Sequence, residues 1–457
     1  MSDSSLHDFT GYDAYIDKHF DSMIEELRRF CSSPTLAGQR IGMEEGVAAV
    51  RALLEPLGAR TSVVPAGDAP PVVLAELGKG KRTLLFYNHY DVQPPEPLEL
   101  WTSPPYAGDV RDGIFYARGV ADDRGDFLSR VLAIRAYQAT IGDLPLRLRW
   151  LIEGEEEVGS PNLGPVVEAH AAELQADWCA WESSGHDTQD KPMIVCGTKG
   201  MLYVELHCTG PDHDVHSGSG GFVPNPAWRL VMALSTLRDA GGNFVMDGLD
   251  AIVDPPTEAD LKAVSNMPFD EPGYRQKYGV KEWQRGLQGR EVLHAEVFHP
   301  TANIAGFTSG YSGPGSKTIV PSKATVKMDF RLVPHQTPEK MLKLLKAHFA
   351  ARGYDDIEVV ELGGLEVART AVDSPLVAAS AGAWHDLGEH DVVVIPTSGG
   401  SGPTSLVTDG LGIPAVMTGG VTWSGSRVHS PNESIKLKHF KSGIRYWGRF
   451  FSRLAVM

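Results

Sequence analysis

Five short stretches of this 457-residue chain carry side chains able to hold metal ions and to move protons. The apolar run TLLFYNH ends at His89 and is followed by Tyr90 and Asp91. A histidine at the carboxyl end of a strand in an open α/β sheet stands where such sheets place ligands. The spacing to Asp91 puts both residues on one side of an extended chain. That carboxylate can then accept the imidazole proton and fix the tautomer, as partners of metal-binding histidines do. GVADDRGD, residues 119–126, sets two aspartates side by side before a helix, which is costly unless a cation or a helix N-terminus offsets their repulsion. An aspartate N-cap beside a solvated neighbour is the plainer alternative for this pair taken alone.

EGEEEVGS, residues 153–160, follows the apolar LRLRWLI and puts four carboxylates at the end of a buried strand. Either metals neutralise them or one keeps its proton. Glu182, after DWCAW, and His429, in RVHSPNE, complete the set. Two imidazoles and three carboxylates suit two borderline divalent metals about 3.5–4 Å apart that share a bridging carboxylate. Thiolate ligation has no support, because Cys31, Cys179, Cys196 and Cys208 form no CxxC pair and read as small core residues. A serine hydrolase would need a G-x-S-x-G elbow, and the turns around Ser312 and Ser401 lack its final glycine.

These residues need a scaffold, and the periodicity supplies one. Residues 12–30 and 44–57 carry helical spacing; 72–77, 83–87 and 146–152 read as strands, with a helix at 128–140 between the last two. Strands alternating with helices predict an α/β sheet covered on both faces. From about residue 199 the pattern changes to a strand at 202–208, a helix at 226–238, a strand pair at 317–321 and 324–333, a helix capped by Thr337 and Pro338, and a strand at 357–362. That order, β-α-β-β-α-β, is ferredoxin-like. It carries an insertion over about 240–310. Beyond about 366 a helix at 374–386 and apolar runs at 392–395 and 413–417 restore the α/β character. The expected domains are therefore a catalytic α/β segment at 1–198, a lid at 199–365 and a second catalytic segment at 366–457.

Composition limits the partners. With 42% hydrophobic and 22% charged residues the chain has an ordinary globular core. A net charge of −16 repels phosphate backbones and anionic lipid, so neither nucleic acid nor a membrane surface is an expected partner. No apolar run approaches the roughly 18 residues of a membrane span. The start, MSDSSLHDFTGYDAY, lacks the pattern of a signal peptide, and a cytoplasmic enzyme is the expectation.

The ordered set NHYDVQP, ARGVADDRG, EGEEEVGS, WESSGHD, DVHSG, DFRLVP and RVHSPNE resembles the M20 family of dinuclear metallopeptidases, over about residues 80–435. The likeness is closest to the carnosinase-like (cytosolic nonspecific) dipeptidase branch. It implies a mixed-sheet, zinc-peptidase-like catalytic domain interrupted by an α+β ferredoxin-like lid that mediates homodimerisation. Asp122 would bridge two divalent ions, zinc first, with manganese or cobalt as alternatives. His89 and Glu182 would complete one site, Glu157 and His429 the other. Glu156 would be the general base towards a water between the metals, and Asp91 the partner of His89. The peptide between Asp122 and Asp123 would be cis. In the lid, His216 would stabilise the oxyanion, commonly from the partner subunit. Arg331 would grip the substrate carboxylate, with Asn303 and Ser401 of the turn Gly399-Gly400-Ser401-Gly402 as further contacts.

The chain departs from that branch at two positions. Ser398 stands where the relatives carry a glutamate that helps recognise the substrate's free amino group, and Glu182 where they usually have aspartate. Hydrolysis of dipeptides or short peptides is the first expectation. Deacylation of N-acyl or N-carbamoyl amino acids, which needs no amine anchor, is the alternative. A non-catalytic binding protein on the same fold is the remote one, since it has no use for a complete ligand set plus a base.

Overall fold

The computed structural model describes residues 8–182 and 184–457; residues 1–7, part of the stretch inspected for a leader, and Ser183 of WESSGHD lie outside the described residues. In chain order the first elements are α1 (Thr10–Phe30), α2 (Met43–Leu54), β1 (Arg60–Ala66), β2 (Ala69–Leu77), β3 (Thr83–His89), α3 (Gly125–Thr140), β4 (Arg147–Glu153), β5 (Trp178–Trp181) and β6 (Met193–Val195). Next come β7 (Gly200–Thr209), α4 (Pro226–Ser235), α5 (Glu258–Asn266), α6 (Glu271–Tyr278), α7 (Glu291–Phe298), β8 (Thr301–Ser309), β9 (Lys323–Leu332), α8 (Pro338–Ala351) and β10 (Glu358–Leu365). The chain closes with α9 (Pro375–His385), β11 (Val393–Ile395), β12 (Ala415–Met417) and α10 (Leu437–Ala455). Among the described residues no helix is long and apolar enough to cross a membrane.

Two compact units result. One comprises residues up to Gly197, Arg369–Pro396 and Leu406–Met457; the other is Thr198–Ala368 with Thr397–Ser405. The first unit holds an eight-stranded mixed sheet in the order β1-β2-β4-β3-β5-β12-β6-β11. Its centre, β4, β3 and β5, is parallel, so three consecutive strands deliver their carboxyl ends to one edge. Those ends carry Glu153, His89 and, one residue further, Glu182.

Helix α3 is buried on all sides over Gly125–Ile134, as a helix with apolar residues all round must be. Arg130, buried there with the polar Asp126 and Ser129, ties the sheet's edge together. Its Nη1 donates to the Tyr87 carbonyl (2.7 Å) and to Asn88 Oδ1 (2.8 Å), and its Nη2 donates to the Trp181 carbonyl (2.6 Å). The guanidinium also lies 5.0 Å from the rings of Phe86 and Trp447, so its charge is held between π faces. One buried cation thus fixes the ends of β3 and β5, immediately before His89 and Glu182.

The second unit is a four-stranded antiparallel sheet in the order β8-β9-β7-β10, with α4 and α8 on one face of it. Asn225 caps α4 by accepting from Ala227 N and Trp228 N, and Thr337 caps α8 by accepting from Lys340 N, each ahead of a proline in the first turn. The structure corrects two expectations here. The strand preceding β9 is Thr301–Ser309; the predicted 317–321 contributes only Ile319–Val320, which pairs with Val215–His216. TANIAGFTS escaped prediction because only Ala302 in it is buried, so both faces are open along most of its length and no alternation is imposed. The insertion before it is helical, α5 to α7. Second, the turn 397–405 joins the inserted unit although the flanking chain belongs to the first. Lys199 N donating to the Gly400 carbonyl (3.0 Å) holds it there.

Candidate metal centre

The three strand ends and two loops of the first unit bring His89, Asp122, Glu157, Glu182 and His429 together. His89 Nε2 lies 3.1 Å from Asp122 Oδ1 and 3.4 Å from Glu182 Oε2. On the other side His429 Nε2 lies 3.2 Å from Asp122 Oδ2 and 2.9 Å from Glu157 Oε2. Asp122 therefore presents one oxygen to each imidazole and joins two ligand groups. Metal-ligand spacing also occurs for His89 with Asp123 and Glu182, and for Asp122 with Glu157 and His429. Asp123 is partly committed elsewhere, because its Oδ2 accepts from Asn88 Nδ2 (2.6 Å) and His89 N (3.2 Å). It had no role in the sequence reading, where only its adjacency to Asp122 was visible.

Tautomers and orphaned atoms test whether these residues fit cations. His89 Nδ1 lies 3.0 Å from the Asp91 carbonyl and 3.4 Å from its Oδ1. Donation from Nδ1 leaves the Nε2 lone pair aimed at two carboxylate oxygens, an arrangement that repels unless a cation or proton lies between. Glu182 Oε2 and Asp123 Oδ1 are buried without a hydrogen-bond donor. Such acceptors are what a divalent ion would satisfy, so the residues fit the two-metal set.

Protonation follows the same logic. Burial disfavours a charged His89, yet the charge of Glu182 and the contacts to Asp122 and Asp91 raise it well above its ordinary value. Hydrogen bonds from Asp122 and Glu157 raise His429 to about 10. Burial pushes Asp122 up, but its hydrogen bonds with both imidazoles win and hold it below the ordinary carboxylate range. Burial raises Glu182 well above that range. Glu156 rises to about 7, through burial first and then the charges of Asp122 and Glu157. Protons thus occupy the places where cations would offset the same negative charge.

Asp91 does more than face His89: its carboxylate accepts from the backbone N–H groups of Glu156 (3.3 Å) and Glu157 (3.0 Å). It therefore sets the turn that carries the expected base and a ligand. The Asp122–Asp123 peptide is cis. The loop around it is gripped by Glu433, which accepts from Gly119 N (2.9 Å), Ala121 N (2.9 Å), Asp122 N (3.3 Å) and Arg118 Nη1 (2.6 Å). Glu433 lies four residues after His429, so this buried carboxylate couples the loops of both. The sequence reading missed it because a glutamate beside a proline and an asparagine reads as a surface turn. Of the four carboxylates in EGEEEVGS, Glu153 and Glu156 are both raised, and Glu153 is raised further. Burial pushes it up to about 8, although Tyr87 Oη (2.6 Å) and Ser160 Oγ (2.8 Å) donate to it.

The remaining expected residues lie in the inserted unit. Arg331 Nη1 donates to Ser401 Oγ (2.9 Å), and its Nε lies 3.5 Å from Asp329 Oδ1. Asn303 Nδ2 donates to Asp329 Oδ2 (2.8 Å), so Arg331, Asn303 and Ser401 form one cluster. His216 stands apart from it in the short Val215–His216 strand; it is exposed, and its Nδ1 accepts from Gly218 N (3.0 Å).

Residues 85–453 match Peptidase family M20/M25/M40. The Beta-Ala-His dipeptidase of Homo sapiens is 29% identical, across 97% of this chain and 92% of that protein. The Cys-Gly metallodipeptidase dug1 of Schizosaccharomyces pombe is 27% identical, across 96% of this chain and 97% of that protein. Among solved structures, the M20 family metallo-carboxypeptidase Sso-CP2 from Sulfolobus solfataricus superposes with a TM-score of 0.86 at 34% identity, covering 96% of this chain and all of that one.

The proton on Glu153 has a consequence for stability. The folded chain retains it up to about pH 8, whereas the unfolded chain releases it near its ordinary value of 4.5. The stabilisation is therefore complete below about pH 4.5 and is lost as pH rises through about 8. In urea unfolding of the metal-stripped protein, Glu153→Gln should lose less stability between about pH 5 and about pH 8 than the natural chain. An identical loss in both would mean that the proton is not on Glu153.

Proposed function

Because this chain belongs to peptidase family M20/M25/M40, whose members hydrolyse peptide bonds, we propose that it cleaves dipeptides and short peptides bearing a free C-terminal carboxylate. The observation that carries the reading is Asp122, with one oxygen on each of two histidine–carboxylate groups. The dipeptidases among its relatives support the substrate class. Two divalent cations, zinc first, held by His89, Asp122 and Glu182 and by Asp122, Glu157 and His429, would supply the positive charge that acidifies water and steadies a developing oxyanion.

The rest falls to the chain's own side chains. Glu156, raised towards neutrality, accepts a proton from the attacking water and returns it to the leaving nitrogen as the C–N bond breaks. Arg331, oriented by Ser401 and Asp329, offers a planar fork to the substrate carboxylate. His216 donates to the carbonyl oxygen as it gains charge. The four cysteines are buried, and the proposed location is the reducing cytoplasm.

His216 is proposed to act on the site of a partner subunit, through a homodimer formed by the inserted unit. The exposed face of α4 supports this: Trp228, Val231 and Met232 follow helical spacing, with Trp228 65% exposed and neighbouring Phe222 82% exposed. Trp228→Glu should convert a dimer into a monomer in analytical ultracentrifugation. A natural chain that sediments as a monomer would remove the dimer and the trans role of His216 together.

The catalytic reading is tested with metal-stripped protein re-supplied with zinc or manganese, assayed on free dipeptides, N-acetylated dipeptides and N-acyl amino acids. Free dipeptides should be cleaved. Glu156→Gln should lower kcat by about 10²–10⁴-fold while binding the same amount of metal, as the loss of a general base does. Equal turnover in that variant would refute the role of Glu156. Turnover of N-acyl amino acids alone would refute the dipeptidase reading.

A further inference from the structure

The inserted unit contains a cleft of about 400 Å³ that the steps above leave unused. Its walls come from the chain after α4, the turn 283–287, α7 and the start of β8. Arg238, Arg285 and His299 line it, against a single acid, Glu296. Lys199 and Lys277 lie close enough to Glu296 to oppose its charge. Neither arginine is neutralised by a carboxylate among the described residues: Arg238 donates to the Ala302 carbonyl, and Arg285 Nη1 to Asn243 Oδ1 (3.1 Å). The Nε of Arg285 is buried without an acceptor. Burial and the neighbouring Arg285 hold Arg238 below the ordinary guanidinium value, as two unscreened like charges require. In a chain of net charge −16, this is a local excess of positive charge facing a cavity.

The cleft shares two walls with the Arg331 cluster. Thr301, which lines it, sits directly opposite Arg331 in the β8–β9 ladder. Asn303, two residues on and on the same side of the strand, also lines the cleft and bonds to Asp329 beside Arg331. On the other wall, Glu296 Oε1 comes within 3.9 Å of where a Cβ on Gly399 would lie, in the turn whose Ser401 accepts from Arg331. The cleft therefore adjoins the Arg331 cluster through β8 and through Glu296.

We propose that the cleft receives the side chain of the substrate's C-terminal residue, and that Arg238 and Arg285 select an acidic one, making Xaa-Asp and Xaa-Glu the preferred class. This rests on the reading that Arg331 grips the terminal carboxylate. Phe244 and Trp283 supply apolar walls for the methylenes of the glutamate side chain. A charge-assisted hydrogen bond to a desolvated carboxylate gives about 10–100-fold discrimination against the isosteric amide.

The test is kcat/KM of the zinc-loaded enzyme on Ala-Ala, Ala-Gln, Ala-Glu and Ala-Lys. Ala-Glu should exceed Ala-Gln by at least about 10-fold, with Ala-Lys lowest. Arg285→Gln should bring Ala-Glu down towards Ala-Gln, and Arg285→Glu should raise Ala-Lys above Ala-Glu. Ala-Gln cleaved as well as Ala-Glu by the natural chain, while Ala-Ala is turned over, would overturn this proposal and leave the dipeptidase reading standing. An Arg285→Glu profile identical to that of the natural chain would overturn it too. No turnover of any of the four would sink the dipeptidase reading, and this proposal with it.

Discussion

Mutual repulsion among buried carboxylates is the constraint on which the rest of this structure depends. Asp91, Asp123, Glu153 and Glu182 are all within a tenth of full burial, and Asp122, Glu156 and Glu157 crowd the same edge of the sheet. Two imidazoles cannot balance that many negative charges. An interior of low polarity makes each unneutralised charge expensive. The cluster relieves itself in three ways. Burial favours the neutral form of Glu153, Asp91 and Glu433 are bonded to backbone N–H groups, and the remaining candidate ligand atoms face one another across gaps suited to cations.

The fold can be understood as the device that holds those charges in place. Parallel strands β4, β3 and β5 bring Glu153, His89 and Glu182 to one edge, and Arg130 locks that edge from within the sheet's helical cover. Glu433 and Asp91 do for the loops what Arg130 does for the strands. Each is a buried charged group whose several hydrogen bonds fix a backbone segment carrying a proposed ligand. The exposed turn of His429 is strained as well, with φ of 55°, 60° and 62° at Arg427, His429 and Asn432. The Asn432 side chain pins it by donating to the Leu100 carbonyl and accepting from Thr102 N.

What the sequence revealed, and what it hid, follows from the range of the interactions. His89, Glu157 and Glu182 were visible because each follows an apolar strand, and local pattern finds strand ends. A retained proton in EGEEEVGS was anticipated as one of two outcomes, but only burial, which local pattern does not show, singles out Glu153 as the carboxylate raised furthest. Glu433 was hidden because its partners lie more than 300 residues earlier in the chain. The turn 397–405 was assigned to the wrong segment for the same reason: Lys199 and Arg331, which claim it, are remote in sequence. The edge strand β8 was missed because both its faces are open beyond Ala302, which removes the alternation on which strand prediction relies.

The central claim is that Asp122 joins two cation sites within one chain. Anomalous X-ray diffraction from crystals grown with zinc or manganese tests it most directly. Two peaks per chain should appear about 3.5–4 Å apart, with one Asp122 oxygen on each and His89 and His429 on opposite ions. A single peak, or two peaks that do not share Asp122, would contradict the account.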